Sequence, residues 1–460
     1  MKGKNALIFC VFVLFLTGQF SLDFSRVHAS NERYKVSSND SVPSLQDIID
    51  KAKPGDRIVL AEPKYSGPVV INKRLEILGS ENVLLINDKP EPAITIQADG
   101  VTVHDINVLQ KHAGEESTAV HVQADRVTIR NLKIRTRGFG ILLRNAENCI
   151  LENNNITWDT SQGKSAIGQK GNGIDLFKSN HNRIANNKIS NMRDGIYLDN
   201  SKSLDIVENM IFGSRYGIHC MYIDGTKIVG NIGEYNMTGA MIMGVRDVLI
   251  SDNSFAKQKN NANSQGILLY DVQTSIVQKN SIEGNRVGIY LERSSQNKLS
   301  HNSIYRNFVG IQFVNAENNI IQNNDFVANV IESEANDSQS NQIEHNFWDS
   351  AKVLDTNHDG NSEIKYSINP FYRNLISETP AYQLFFQSPG ISFLSGMYEH
   401  DQNSWTTDSS PRMKLNQPAI ISSTIADKRL LPEKTFLLII ASMLLLISGL
   451  TIIYSRGSKT

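Results

Sequence analysis

The 460-residue sequence has little cysteine: three residues, too few for a disulfide scaffold. It has no excess of either charge, 46 basic against 47 acidic side chains, so its overall field would not draw it to nucleic acid. It also lacks the polar bias of a disordered chain, with 40% of residues hydrophobic. Length alone would suggest about three domains. Long apolar runs are confined to the two ends.

At the N-terminus, Lys2 and Lys4 precede an apolar stretch, 6–16, and the small-residue site Val27-His28-Ala29, the layout of an export signal over residues 1–29. Cys10 lies inside it, which leaves Cys149 and Cys220 in the mature chain. Near the C-terminus, 435–454 is a 20-residue run without a charge, enough to cross the membrane's hydrocarbon core. Arg456 and Lys459 follow, so the tail 455–460 is expected in the cytoplasm. The chain reads as an exported body held on the extracytoplasmic face of the cell membrane by its own tail.

The middle repeats. Gly-Ile-x-Leu or a close variant starts at Gly140, Gly173, Gly195, Gly217, Gly239, Gly266, Gly288 and Gly310, at spacings of 33, 22, 22, 22, 27, 22 and 22. An Asn before a short apolar strand recurs at Asn154, Asn187, Asn209, Asn231, Asn253, Asn280, Asn302, Asn324 and Asn346 in the same register. Short alternating strands at this period mean a β-solenoid, with Ile, Leu and Val inward and the Asn row forming a side-chain ladder at a turn. Leucine-rich repeats share the period but need a helix-like segment that these coils lack. The departures from 22 are expected as surface loops around 158–171 and 257–264. Before the coils, Leu45, Ile48, Ile49 and Ala52 share a helical face ahead of Pro54-Gly55-Asp56, as a cap over the first edge would. The organisation read from the chain is a signal (1–29), cap and first strands (30–92), parallel β-helix (93–350), C-terminal cap, extended arm and linker (351–434), membrane helix (435–454) and tail (455–460).

Strand parity turns this register into a surface map. The second position after each Gly points outward, giving Asp175, Tyr197, His219, Met241, Leu268, Tyr290 and Gln312. The fourth gives Phe177, Asp199, Met221, Met243, Tyr270, Glu292 and Val314. His219, Met221, Met241 and Met243 thus form a two-by-two patch, about 5 Å apart across the sheet and about 7 Å along a strand. Five of the ten Met fall between Met210 and Met243. Three thioethers and an imidazole suit a soft ion, above all Cu(I); an apolar patch that docks a partner accounts for them equally. Cys220 points into the core, and Cys149 lies three coils away, so no disulfide joins them.

Two further constellations stand out. Asp175 and Asp199 lie diagonally on neighbouring coils at about the separation of an inverting carboxylate pair, with Tyr197 beside them to stack on a sugar. This is the alternative reading: a carbohydrate-binding or polysaccharide-cleaving β-helix at the cell surface. Asp355, Asn357 and Asp359 before Gly360 resemble the first half of a calcium loop, and an Asx-rich turn fits them as well.

The run Arg215-Tyr-Gly-Ile-His219-Cys-Met221-Tyr222, the coil Gly239-Ala-Met241-Ile-Met243 and the closing Asn346-Phe-Trp348-Asp resemble the NosD family of nitrous oxide reductase maturation proteins. So do Asn369-Pro-Phe-Tyr-Arg, Pro380-Ala-Tyr-Gln-Leu and Ser388-Pro-Gly; the likeness runs from about residue 41 to 398. The resemblance implies an all-β fold, a right-handed single-stranded parallel β-helix. It implies a non-enzymatic role, handling copper outside the cytoplasm for the reductase's copper–sulfide centre. The partners implied are an ABC transporter of ATPase and permease, a copper chaperone and the reductase. Met237 and Tyr222 beside the patch, and Pro380, Tyr382, Phe385 and Phe386 in the 367–397 arm, are then docking residues. A C-terminal membrane span departs from what soluble periplasmic members would have, and suits a cell without a periplasm.

Overall fold

The computed structural model describes residues 42–163, 165–258, 264–385, 388–398 and 406–416. The expected signal 1–29, span 435–454 and tail 455–460 lie outside the described residues. Among those described, no helix is long and apolar enough to cross a membrane. The chain winds a right-handed parallel β-solenoid; one face is a 13-stranded sheet running from Arg57–Val59 to Gln342–Glu344. Parallel pairing therefore begins well before residue 93, where the repeat first becomes legible, because the early coils hold register without the Gly and Asn landmarks.

Alternation sets each coil. In the strand Asp194–Asp199, Ile196 and Leu198 are fully buried, whereas Tyr197 and Asp199 reach the surface. The next strand, Tyr216–Met221, sets Ile218 on Ile196 and Cys220 on Leu198, and Thr238–Arg246 continues with Ala240 and Ile242. The repeated glycine has a steric cause. A Cβ on Gly195 would stand 2.3 Å from Ile211 Cγ2 and 2.6 Å from the Gly217 carbonyl, so the corner closes with no room for a side chain.

The Asn row is a continuous buried ladder. Asn231 Nδ2 donates to Asn253 Oδ1 at 3.0 Å and to the Ile206 carbonyl at 2.8 Å. Its own Oδ1 accepts from the amide and Nδ2 of Asn209, both at 3.0 Å. The residue before each rung is left-handed, Glu208 at φ 55°, Asp252 at 57° and Lys279 at 54°, a conformation that costs a non-glycine residue about 1–2 kcal/mol and that the ladder bonds offset. The loop insertions leave the ladder intact, with Asn154–Asn187 and Asn253–Asn280 both at 2.9 Å. At the far end the acceptor is a carboxylate: Asp408 Oδ2 takes bonds from the Asn346 amide, Asn346 Nδ2 and Trp348 Nε1, each at 3.0 Å. Asp408 arrives on the strand Thr406–Asp408, antiparallel to Tyr366–Ile368.

At the other end, the helix Leu45–Lys51 buries Leu45 and Ile49 in the same core as the first coils. The segment expected as an extended arm is mostly helical, with helices Phe371–Glu378 and Pro389–Met397 and a tight turn Pro380–Phe385 between them. Tyr372 and Ile376, four residues apart on one helical face, pack on Val287, Val309 and Ile331 of the solenoid, which holds the first helix against the coils instead of extending it outward.

Candidate metal centre

Three successive strands build the site. His219 pairs with Tyr197 on one side and Met241 on the other; Met221 pairs with Asp199 and Met243. The two-by-two patch of the surface map is thus present in the sheet register. The three thioethers are half-buried. The imidazole, expected to stand bare, is 6% exposed, because the rings of Tyr197 and Tyr216 meet it edge-on at 4.9 and 4.8 Å and roof it.

What orients His219 was missed from the sequence. Asp194, fully buried, lies 3.0 Å from His219 Nδ1. It also takes Arg215 Nε at 2.8 Å and Nη2 at 2.6 Å. Burial pushes the Asp194 carboxyl up, but the bonds from His219 and Arg215 outweigh it and hold the group below the ordinary carboxylate range. An ionised carboxylate can only accept, so Nδ1 carries a proton, and the neutral ring then presents its lone pair at Nε2. That Nε2 is buried and has no hydrogen-bond partner among the described residues. An unpaired imidazole lone pair beside three thioethers is the donor chemistry of a soft-cation site. Tyr197 Oη lies 3.3 Å from Met221 Sδ and 3.4 Å from Asp199 Oδ2. Burial, then the charges of Asp199 and Asp175, push the Tyr197 hydroxyl up to about 12, so it remains a donor. Among the described residues no three His, Cys, Asp or Glu side chains gather to hold a metal; thioethers are outside that donor set.

Cys149 and Cys220 stand apart from the patch's donors. Both are free and buried; burial pushes Cys149 up to about 11 and raises Cys220 too. Met237 is half-buried and Tyr222 is 59% exposed. In the helical segment Tyr382 and Phe385 are exposed, and so are Phe393, Leu394 and Met397 of the last helix. Pro380 opens the turn before them, and Phe386 lies outside the described residues.

The carboxylate pair is unequal. Asp175 is 3% exposed, takes Asn172 Nδ2 at 2.7 Å and lies 2.8 Å from Arg144 Nη1, an ion-pair contact without hydrogen-bond alignment. Burial raises the Asp175 carboxyl despite Arg144. Asp199 accepts Asn200 Nδ2 at 2.7 Å. In the Asp355 loop the oxygens receive the loop's own amides: Asp355 those of His358 (2.6 Å) and Gly360 (3.0 Å), Asn357 that of Asp359 and Asp359 that of Asn361.

Residues 159–365, which contain both the patch and this loop, match the model of the family described as periplasmic copper-binding protein (NosD). The chain carries a NosD-like β-helix. No curated protein matches the chain by sequence. Solved structures similar to the NosD-like solenoid include the A-module of mannuronan C-5 epimerase AlgE6 from Azotobacter vinelandii, at 13% identity and TM-score 0.45, covering 67% of this chain and 90% of that one. A family 28 exopolygalacturonase from Yersinia enterocolitica covers 65% and 74% at 9% identity and TM-score 0.49. PfbA, a surface adhesin of Streptococcus pneumoniae, covers 70% and 92% at 13% identity and TM-score 0.47. Nothing about function follows from likeness at this level.

Proposed function

We propose that this chain is an extracytoplasmic copper-handling protein that carries Cu(I) as cargo on His219, Met221, Met241 and Met243. In this reading it helps assemble the copper–sulfide centre of nitrous oxide reductase. A copper chaperone supplies the metal, and an ABC transporter's permease and ATPase act beside the exposed aromatics of the 371–398 segment. The membrane helix 435–454 keeps the protein at the membrane. One observation carries the reading: a buried imidazole whose Nδ1 is held by Asp194 keeps an Nε2 without a partner among the described residues, on a strand that sets His219 in register with three thioethers. In this reading the chain's own residues bind and dehydrate the ion, and the role is non-enzymatic.

The test is Cu(I) titration of the purified full chain against a variant with Met221, Met241 and Met243 all changed to Leu. Leu keeps the apolar area and removes the sulfur, so affinity is expected to fall at least tenfold. Equal affinity refutes the site and leaves a docking patch. A calcium role for Asp355, Asn357 and Asp359 remains a separate proposal, checked by calcium titration of the same protein.

A second reading, action on a polysaccharide, is favoured by the raised Asp175 carboxyl one coil from Asp199. Release of reducing ends from acidic polysaccharides, abolished by Asp199→Asn, would support it. The burial of Asp175 and its contacts with Asn172 and Arg144 leave little room for a substrate to reach it.

A further inference from the structure

We infer that Tyr197 governs how tightly the patch holds its ion, by competing for the sulfur of Met221 and yielding it to the metal through Asp199. The inference rests on the copper reading above. Tyr197 stands opposite His219 on the preceding coil, with its ring against the imidazole edge. Its hydroxyl is within reach of two acceptors at nearly equal distance, Met221 Sδ at 3.3 Å and Asp199 Oδ2 at 3.4 Å.

These acceptors differ in kind. A thioether is a weak acceptor, whereas a hydrogen bond to a carboxylate is charge-assisted and stronger. The hydroxyl withdraws electron density from a sulfur atom that a soft cation would need as a donor. When a cation draws on that sulfur, the proton can settle on Asp199 with no large movement, since the carboxylate already lies at the same distance. Asp199 is the strand neighbour of Met221, so acceptor and donor are held in register by the sheet. The empty site thereby keeps Met221 in place, and the filled site loses one weak bond and keeps a stronger one. Tyr197 makes binding reversible, as a protein that must give its cargo away requires.

The two partners of the hydroxyl predict opposite effects. Tyr197→Phe keeps the ring over His219 and removes the competitor, so Cu(I) is expected to bind about three- to tenfold more tightly and leave correspondingly more slowly, the weight of one net hydrogen bond. Asp199→Asn removes the charged acceptor, leaves the hydroxyl on sulfur, and is expected to weaken binding by a similar factor. The measurement is anaerobic competition of the detergent-solubilised full chain with a chromophoric Cu(I) chelator, with the off-rate read by stopped flow. Unchanged or weaker binding by Tyr197→Phe overturns the inference, as does tighter binding by Asp199→Asn. If the wild type binds Cu(I) and the triple Leu variant does not, either result sinks the role of Tyr197 alone. If the wild type takes up no Cu(I), the site itself falls and this inference with it.

Discussion

Asp194→Asn probes the group that aims His219. Asp194 receives Arg215 Nε at 2.8 Å, Arg215 Nη2 at 2.6 Å, His219 Nδ1 at 3.0 Å and the Tyr216 amide at 3.4 Å. Removing one partner of a fully buried ion pair costs about 3–5 kcal/mol. Arg215 retains 28% of its side-chain exposure and can hydrate, and the Asn oxygen still accepts one bond, so about 2–3 kcal/mol is expected here. The pH dependence has a definite sign. The folded Asp194 carboxyl lies below its unfolded value, so its contribution is complete above roughly pH 4 and disappears as pH falls through the folded value. Wild type should therefore melt higher than the variant by a constant margin from pH 5 to 7, and the margin should close in stronger acid. Because solenoids open coil by coil, hydrogen exchange at Tyr216 is read beside the melt. Cu(I) affinity is expected to fall roughly ten- to a hundredfold, since the Asn amide can donate to Nδ1 and move the proton to Nε2. A margin that persists unchanged at pH 3, or affinity equal to wild type, refutes this account of the His219 tautomer.

Other perturbations test the frame around the site. Asn231→Leu removes one rung and leaves the Asn209 amide and the Ile206 carbonyl short of a partner; about 3 kcal/mol of destabilisation is expected, visible as faster exchange in the coils on either side. Glu332, held at about 7 by burial, accepts Ser350 Oγ at 2.7 Å and the Tyr366 hydroxyl. Its folded value lies above its unfolded one, so folding stability falls as pH rises from about 4.5 to 7. Glu332→Gln should accordingly melt higher than wild type at pH 8 and level with it at pH 4; the same offset at both would refute the assignment.

The coil architecture was legible because two of its constraints act through side chains and repeat. Glycine recurs where a Cβ would strike the neighbouring coil, and Asn recurs where each rung must both donate and accept. Parity then located the Met patch, since alternation holds along a straight strand. It failed at Asp194, which stands just before Gly195, where the chain turns a corner and alternation no longer says which way a side chain points. The roof over His219 was hidden for a related reason: it depends on Tyr216 from that corner row as well as on Tyr197. Asp408 closes the Asn ladder from 62 residues beyond Asn346, a contact no local period could reveal. The helix Phe371–Glu378 escaped because Tyr372 and Ile376 make a short apolar face that only the solenoid completes.

The position of the patch along the stack follows from how its rows change character. The corner row runs Asp194, Tyr216, Thr238, then Gln265, Val287, Val309 and Ile331, charged at one end and apolar at the other. The neighbouring row runs Asp175, Tyr197, His219, Met241, Leu268, Tyr290, Gln312 and Glu334, and turns polar again beyond Tyr290. The apolar end is covered by the helix Phe371–Glu378, and the charged end is knit by Arg144 and Arg215. The Met coils occupy the crossover of the corner row, at Tyr216 and Thr238. A monovalent soft ion needs that balance: surroundings dry enough that thioethers compete with water, and a carboxylate near enough to orient the imidazole and temper the added charge. Moved two coils toward Asp175 the site would be too polar, and two coils toward Val309 it would lie under the helix. The coil of Met241 lies four coils, about 19 Å, from that of Ile331, on the same face of the same rigid sheet. Under the proposed function, a partner gripping the aromatic 371–398 segment and a partner receiving copper would approach the solenoid from one side.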